Sequence, residues 1–175
     1  MLIGARDPQS MTAAQRQAYD VIASGPRKDV PLPFLAMLDV PELADAIQNV
    51  GARIRFSGGL DPRLREVAIL ATAAAFGSGY EWDYHEPIGR SLGLDAAEIA
   101  AIRSGGRCGR PAEDAIVAVC RAAVRERRIP EEQLLTLVGL IGRGAASEVV
   151  AIAGYYQMLA LFLSAGALDH PLPST

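Results

Sequence analysis

The sequence is poor in the residues that build disulfide frameworks and metal clusters. Its 175 residues include two cysteines, Cys108 and Cys120, and two histidines, His85 and His170. The cysteines are too few and too unfavourably spaced for a disulfide framework or a CxxC redox pair, so we expect reduced thiols and a cytoplasmic location. The first residues contain no basic segment followed by an apolar one, and we therefore expect no signal peptide.

Aromatic residues and positive charge are also scarce. Phenylalanine, tryptophan and tyrosine make up 6% of the chain, and the net charge is −3. The densest basic group lies at residues 125–128, where arginines suit the last turn of a helix. A slightly acidic chain without a larger basic patch is not expected to bind nucleic acid.

Half of the residues are apolar, and alanine, leucine and isoleucine dominate among them. This mixture favours helices over sheets, and no stretch alternates with the period of a strand. We therefore predict an all-α fold. The length fits one domain, over residues 1–175, that can bury a core of its own.

Start and stop signals divide the chain into helices. Capping boxes, helix-initial prolines and terminating glycines mark the boundaries. They predict helices over about 12–24, 41–56, 61–76, 79–92, 95–105, 111–128 and 130–142, a loop over 27–33, and a last helix that begins near Ser147. The helix over 61–76 has almost no polar positions, so we expect other helices to enclose it.

The segment 149–168 is almost uncharged and nearly as long as a membrane span. Gln157 near its middle, and the lack of Lys or Arg after its C-terminal end, argue against a span. We expect this segment to be a helix buried in the core or in a subunit interface, and we expect no membrane partner.

A group of polar residues follows the apolar helix. The stretch F-G-S-G-Y-E-W-D-Y-H at 76–85 contains Trp82, the one tryptophan of the chain, and His85. Glu81 and His85 are four residues apart and lie on the same face of a helix. Glu66 lies upstream, in the preceding helix. An imidazole beside two carboxylates can be oriented and tuned as an acid–base group near neutral pH.

Each of these three residues also has a structural interpretation. Ser78 and Glu81 have the spacing of a capping box, in which Glu81 would only satisfy the first helical turn. Glu66 would be favourable near its helix N-terminus for its charge alone, and a lone histidine is usually a packed one. The Glu81–His85 spacing, with Glu66 as a third ligand, could also hold a divalent ion, but no second histidine lies nearby and we expect no metal.

Four tyrosines and several arginines surround these residues in the sequence. We interpret Tyr80, Tyr84, Tyr155 and Tyr156 as core or pocket wall rather than as proton donors, although the last two interrupt an apolar helix. The arginines at 53, 55, 63 and 65 flank the start of the central helix, and one of them could hold a substrate carboxylate.

The sequence resembles the carboxymuconolactone decarboxylase family, which is related to the alkylhydroperoxidase-like proteins. The resemblance depends on L-R-E-V-A-I-L at 64–70, Y-E-W-x-x-H at 80–85 and G-L at 93–94. It covers a core motif region over about 60–105, after an N-terminal extension over 1–40. It implies an alkylhydroperoxidase-like helical bundle that assembles as a homo-oligomer, either a trimer or a hexamer.

The resemblance also implies the chemistry. In the peroxidase branch a CxxC pair precedes the histidine, whereas here Ser78 and Glu81 stand at the two cysteine positions. A thiol mechanism would therefore have no nucleophile at this site. The decarboxylase branch implies that His85 donates or accepts the proton, that Glu81 and Glu66 polarise it, and that no cofactor is needed. Gly79 departs from that branch, which often has an acid at this position.

These features predict a cofactor-independent lyase or isomerase that acts on a small unsaturated organic acid or lactone, as in the catabolism of aromatic compounds. Trp82 and Tyr84 are candidate pocket walls, and Ser78 is a candidate substrate-binding residue. Two alternatives stay open. The first is an alkylhydroperoxidase-like antioxidant protein, which only the family resemblance suggests. The second is a non-catalytic oligomeric binding protein that keeps the fold.

Overall fold

A computed structural model describes residues 3–5 and 7–173 of the chain. Within these residues the secondary structure is entirely helical, which confirms the predicted fold class. A short 3-10 helix, Pro8–Ser10, precedes eight α-helices: α1 (Ala13–Ser24), α2 (Leu32–Met37), α3 (Pro41–Phe56), α4 (Pro62–Phe76), α5 (Gly79–Ser91), α6 (Ala96–Ser104), α7 (Pro111–Arg125) and α8 (Glu131–Ala165).

The chain forms two compact units. One comprises the residues up to Gly58 together with Leu159–Asp169, and in it α1 and α2 pack against α3. Its core includes Ile22, Phe34 and Ile47. The other unit comprises Gly59–Met158 and the residues from His170 onward. The expectation of a single domain over the whole chain stays a prediction.

Helix α4 is the centre of the second unit. Helices α5, α6 and α7 all pack against it, and every residue over 66–75 is buried. The helix begins as expected, because the Asp61 carboxylate accepts hydrogen bonds from the backbone N–H groups of Arg63 and Leu64 at 2.9 and 3.2 Å. The prediction that other helices enclose this segment is confirmed.

Three predicted boundaries were wrong. Helix α2 begins at Leu32, inside the predicted loop, because the apolar residues Phe34, Leu35 and Met37 are buried in the core of the first unit. Helix α7 ends at Arg125, three residues before the predicted end at 128, since Arg127 has a left-handed backbone with φ of 59°.

The third correction concerns the last helix. It resumes directly after Gly142, whose φ of 80° and ψ of 162° interrupt a helical run from Glu131 to Ala165. A side chain would be strained at that φ, so glycine suits the kink. The predicted start near Ser147 was wrong because the backbone is helical again from residue 143. Glu148 lies inside the helix and contacts the residues before α4. Its carboxylate accepts hydrogen bonds from the N–H groups of Gly59 and Leu60, at 2.8 and 3.1 Å.

Helix α8 leaves much of its apolar surface outside the protein core. An 18-residue stretch of this helix has a mean hydropathy of 1.5, and 22% of that stretch is buried inside the protein. By length and composition alone, the helix could span a membrane. The segment 149–168 has one buried face, with Val149, Ile152 and Leu163 in the core, while Leu161 on another face is 60% exposed. The expected helix is confirmed up to Ala165, and the burial of its exposed face in a subunit interface stays a prediction.

A network of charged side chains joins α4, α6 and α7. The Arg63 guanidinium donates hydrogen bonds to Glu98 at 2.6 Å and to Glu113 at 2.9 Å. Arg110 donates to the same oxygen of Glu98 at 3.1 Å. Because both glutamates are buried, their charges need these partners, and the network ties the start of α4 to its neighbours.

This network predicts an acid-sensitive contribution to stability. The backbone N–H of Asp95 and the guanidinium of Arg63 hold the pKa of Glu98 below its usual value. The contribution is therefore complete above the unfolded-state pKa of about 4.3, and it is lost as the pH falls through the lower folded-state pKa. Glu98→Gln is expected to lower the free energy of unfolding by about 1–3 kcal/mol at pH 7.

Urea titrations between pH 7 and pH 3 would measure this effect. The wild type should lose stability with acid more steeply than Glu98→Gln. Exposed Glu126 is a matched control, and its replacement by glutamine should leave the pH dependence unchanged. If the free energy of unfolding falls equally with pH in the wild type and in Glu98→Gln, Glu98 contributes nothing to the acid sensitivity.

Candidate active site

Helix α5 brings Glu81 and His85 to the same buried position. Ser78 is the N-cap, and its hydroxyl oxygen accepts a hydrogen bond from the backbone N–H of Glu81 at 3.5 Å. The four-residue spacing then places Glu81 and His85 on one face, and both are buried. The cap thus fixes the first turn of α5 through the Ser78 side chain, while the Glu81 carboxylate is directed towards His85.

Glu66 and His85 form the shortest polar contact of the group. The distance from Glu66 Oε2 to His85 Nδ1 is 2.6 Å, and the two side chains are only 1% and 2% exposed. The other oxygen of Glu66, Oε1, lies 3.5 Å from Nε of Arg65. A carboxylate that accepts the Nδ1 proton selects one tautomer of the ring and leaves Nε2 as the nitrogen that can exchange a proton.

Two further oxygens lie at that second nitrogen. Tyr156 Oη is 3.2 Å from His85 Nε2, and Glu81 Oε2 is 3.8 Å from it. The imidazole therefore lies between Glu66 on one side and Tyr156 and Glu81 on the other. Carboxylates on both sides can stabilise the positive charge that the ring acquires when it takes up a proton.

This arrangement bears on the alternative of a metal site. Glu66 and Glu81 approach opposite nitrogens of the same ring, so one ion could not be bound by both carboxylates and the imidazole together. Among the residues that the structure describes, no group of three or more His, Cys, Asp or Glu has a metal-binding arrangement. The geometry suits proton transfer rather than metal ligation.

The structure also places the three other predicted site residues. Ser78 is fully buried and serves as the cap described above. Trp82 is buried, and its indole N–H donates to Glu86 Oε2 at 2.7 Å. Tyr84 is half-buried, and its ring centre lies 5.2 Å from that of His85. Their roles at a substrate pocket stay predictions.

Sequence reasoning missed the contribution of Tyr156. It was interpreted as core or pocket wall, yet its hydroxyl is within hydrogen-bond distance of His85, 71 residues earlier in the chain. The signal was the pair of tyrosines in an otherwise apolar helix, because a buried tyrosine hydroxyl usually has a hydrogen-bond partner. That signal does not identify the partner.

The C-terminal segment passes over the beginning of α5. The backbone N–H of Gly79 donates to the carbonyl of His170 at 2.8 Å, and the His170 ring lies 3.5 Å from the Asp83 carboxylate. Arg103 hydrogen-bonds the carbonyl of Pro173, and its guanidinium lies over the Trp82 ring, 5.5 Å from the centre. The segment thus covers the helix that carries Glu81 and His85.

Glycine at position 79 is required by this close approach. A Cβ atom there would overlap the backbone oxygens of His170 and Pro171. An acidic side chain at this position would meet the same obstacle, which gives a physical reason for the departure from the decarboxylase pattern noted above.

Gly79→Ala is therefore expected to lower the free energy of unfolding by about 1–3 kcal/mol, the usual cost of forcing extra atoms into a packed site. Gly154→Ala is the control, because nothing lies near a Cβ at that position in α8, and it should raise stability by about 0.5–1 kcal/mol. Thermal or urea unfolding would measure both. Equal stability of Gly79→Ala and wild type would mean that the C-terminal segment is not held against α5.

Neither cysteine has the properties of a reactive thiolate. Burial raises the pKa of the Cys108 thiol to about 11 and that of Cys120 to about 12. Both groups are consequently protonated near neutral pH, when a nucleophilic cysteine would need to be ionised. The site around His85 contains carboxylates, an imidazole and a phenol as its reactive groups.

Comparison with known proteins relates part of the chain to a family and identifies the fold. The model of the carboxymuconolactone decarboxylase family matches residues 41–122. None of the curated proteins matches the sequence significantly. Solved structures of the debrominase Bmp8, in complex with 2,3,4-tribromopyrrole and alone, superpose with a TM-score of 0.73 at 16% identity, over 99% of this chain and 92% of theirs.

A third similar structure is the alkylhydroperoxidase AhpD core of an uncharacterized peroxidase-related protein from Ralstonia eutropha. It has the same TM-score of 0.73 and 16% identity, again over 99% of this chain and 92% of the other. At this identity the likeness shows the fold, which is that of the AhpD-like helical proteins.

Proposed function

We propose that this chain is a cofactor-independent acid–base enzyme. The match of residues 41–122 to the carboxymuconolactone decarboxylase family model supports the proposal. The substrate of the enzyme would be a small unsaturated organic acid or lactone, and the reaction a decarboxylation or an isomerisation. The observation that carries the proposal is the buried His85 ring, bound at Nδ1 by Glu66 and approached at Nε2 by Tyr156 and Glu81.

Decarboxylation can be written for these groups without an additional reagent. The carbon–carboxylate bond breaks, carbon dioxide leaves, and its electron pair moves into the conjugated carbonyl system of the substrate. Nε2 of a protonated His85 then delivers a proton to carbon, and the carbonyl system is restored. The substrate is its own electron sink, so the protein needs to supply only the proton and a site that excludes water.

Isomerisation uses the same groups in a different order. Neutral His85 takes a proton from the carbon next to the carbonyl, and the imidazolium returns it at another carbon of the conjugated system. Glu66 stabilises the charged ring in both reactions, since its carboxylate lies 2.6 Å from Nδ1. The carboxylates thus support acid and base roles alike.

A substrate panel in deuterium oxide would test the proposal. Unsaturated lactone acids are incubated with the protein, and proton NMR follows the disappearance of the substrate's proton signals. Incorporation of deuterium is seen as missing proton intensity at one position of the product. Turnover with deuterium at one carbon is the expected result, with evolved carbon dioxide separating decarboxylation from isomerisation. Saturable binding of these acids with neither product nor exchange would support the non-catalytic binding protein instead.

We also propose that the protein is a cytoplasmic homo-oligomer, either a trimer or a hexamer. The exposed apolar side chains of α8 support this, since Leu135 is 63% exposed and Leu140 is 45% exposed. Monomers usually avoid such surfaces unless they contact a partner. Light scattering coupled to size-exclusion chromatography would give the number of subunits.

A further inference from the structure

We infer that Tyr156 is a positioning residue, whose hydroxyl holds the reactive Nε2 of His85 in place for proton transfer. The inference rests on the proposed function, because it concerns the nitrogen through which that function would act. It adds a residue from α8 to a site that the sequence motif places on α4 and α5 alone.

The geometry at Nε2 separates Tyr156 from Glu81. The hydroxyl oxygen of Tyr156 lies 3.2 Å from the nitrogen, within hydrogen-bond distance. The nearer oxygen of Glu81 lies at 3.8 Å, which is beyond a hydrogen bond although close enough for charge interaction. Tyr156 is therefore the better placed of the two to fix the direction in which Nε2 points.

A hydroxyl also suits both states of the ring, whereas an ionised carboxylate suits one. When His85 is neutral with its proton on Nδ1, the Tyr156 O–H donates to Nε2. When the ring is an imidazolium, Nε2–H can donate to the Tyr156 oxygen. An ionised carboxylate only accepts, so Glu81 can serve the charged ring but not the neutral one. Tyr156 can thus hold Nε2 before and after each transfer, and it releases the nitrogen to the substrate during the transfer itself, since Nε2 has one lone pair or one N–H.

Packing holds the tyrosine ring in the required orientation. Tyr156 is buried, and its ring meets the His85 ring edge-on, at 85° with centres 5.2 Å apart. Tyr155 packs against it at 78°, with centres 5.5 Å apart. Such perpendicular contacts between rings are favourable in their own right, so the hydroxyl is presented by a side chain with little freedom.

The test compares Tyr156→Phe with Tyr155→Phe, which removes a hydroxyl from the adjacent buried tyrosine. Nitrogen NMR of ¹⁵N-histidine-labelled full-length protein reports the hydrogen bonds of each ring nitrogen, and His170→Gln assigns the two histidines. Tyr156→Phe should shift the Nε2 resonance of His85 and leave Nδ1 in contact with Glu66. Tyr155→Phe should leave the Nε2 resonance in place.

Kinetics provide the second readout. With a substrate identified from the panel, Tyr156→Phe should lower kcat by about tenfold to 10²-fold, the loss expected when a reacting group is misplaced, and leave KM within about twofold. Tyr155→Phe should change kcat by less than about threefold. An equal kcat for the two variants would overturn the inference.

The NMR result shows whether Tyr156 holds Nε2 of His85, independently of turnover. An unchanged Nε2 resonance in Tyr156→Phe overturns the inference even if the protein is an active enzyme. A wild type without turnover would instead refute the proposed function, and the resonance would still report whether Tyr156 holds the ring. If Tyr156→Phe does not fold, 3-fluorotyrosine labelling of the wild type replaces it, because the more acidic hydroxyl should shift Nε2 of His85 but not of His170.

Discussion

Replacing His85 by glutamine is expected to lower kcat by about 10²–10⁴-fold, the range that a positioned acid–base group contributes. The imidazole is the group in the described site that can both give and take a proton near neutral pH, and glutamine can do neither. The substrate should still bind, so KM should change much less than kcat. Steady-state kinetics on the substrate found in the panel would measure both.

The control for this variant is the second histidine of the chain. His170→Gln removes an imidazole that is half exposed and lies beside Asp83, and it should leave kcat within about twofold. Thermal unfolding of both variants completes the comparison. A large fall in melting temperature for His85→Gln, without a specific loss of turnover, would show that His85 is a structural histidine.

Glu66→Gln is expected to lower kcat by roughly 10²-fold, and by up to about 10⁴-fold if the ring adopts the wrong tautomer. The amide has nearly the shape of the carboxylate but lacks its charge, so the imidazolium loses the partner that lies 2.6 Å from Nδ1. An amide can also present its NH₂ group to Nδ1 and so favour a proton on Nε2. Kinetics and the nitrogen NMR described above would separate the two causes.

Glu86→Gln is a matched control on α5. Its carboxylate also accepts a hydrogen bond from a ring N–H, that of Trp82, at 2.7 Å. The amide oxygen of glutamine can continue to accept that bond, and no proton transfer depends on it. Glu86→Gln should therefore leave kcat nearly unchanged. Equal losses of kcat in the two variants would mean that the loss in Glu66→Gln does not depend on its contact with Nδ1 of His85.

Much of the fold followed from local signals. Thr12, Asp61 and Asp95 each cap the helix that the sequence assigned to them, because capping depends on residues only three or four positions apart. Prolines at the first helical positions marked the beginnings of α3 and α7, because the fixed φ of proline suits the first turn of a helix. Helix α2 was missed since its six residues form a helix through burial rather than through a cap.

The candidate site was predictable to the extent that it is local. Glu81 and His85 share a face of α5 because a helix repeats every 3.6 residues, and this follows from their spacing alone. The place of Glu66 in the preceding apolar helix suggested that it belongs with them, and the family resemblance agreed, although 19 residues separate it from His85. Sequence could not give the distance between them, because that depends on how α4 and α5 pack.

Long-range contacts were decided by the tertiary structure. Tyr156 reaches Nε2 of His85 only because α8 packs at that position, and the requirement for glycine at 79 arises only where the chain returns at His170. By itself the sequence determined which residues cap, which face is apolar and which groups can exchange protons, since these depend on neighbours in the chain. Which of those groups meet depends on packing between residues far apart in sequence, and only the folded structure specifies it.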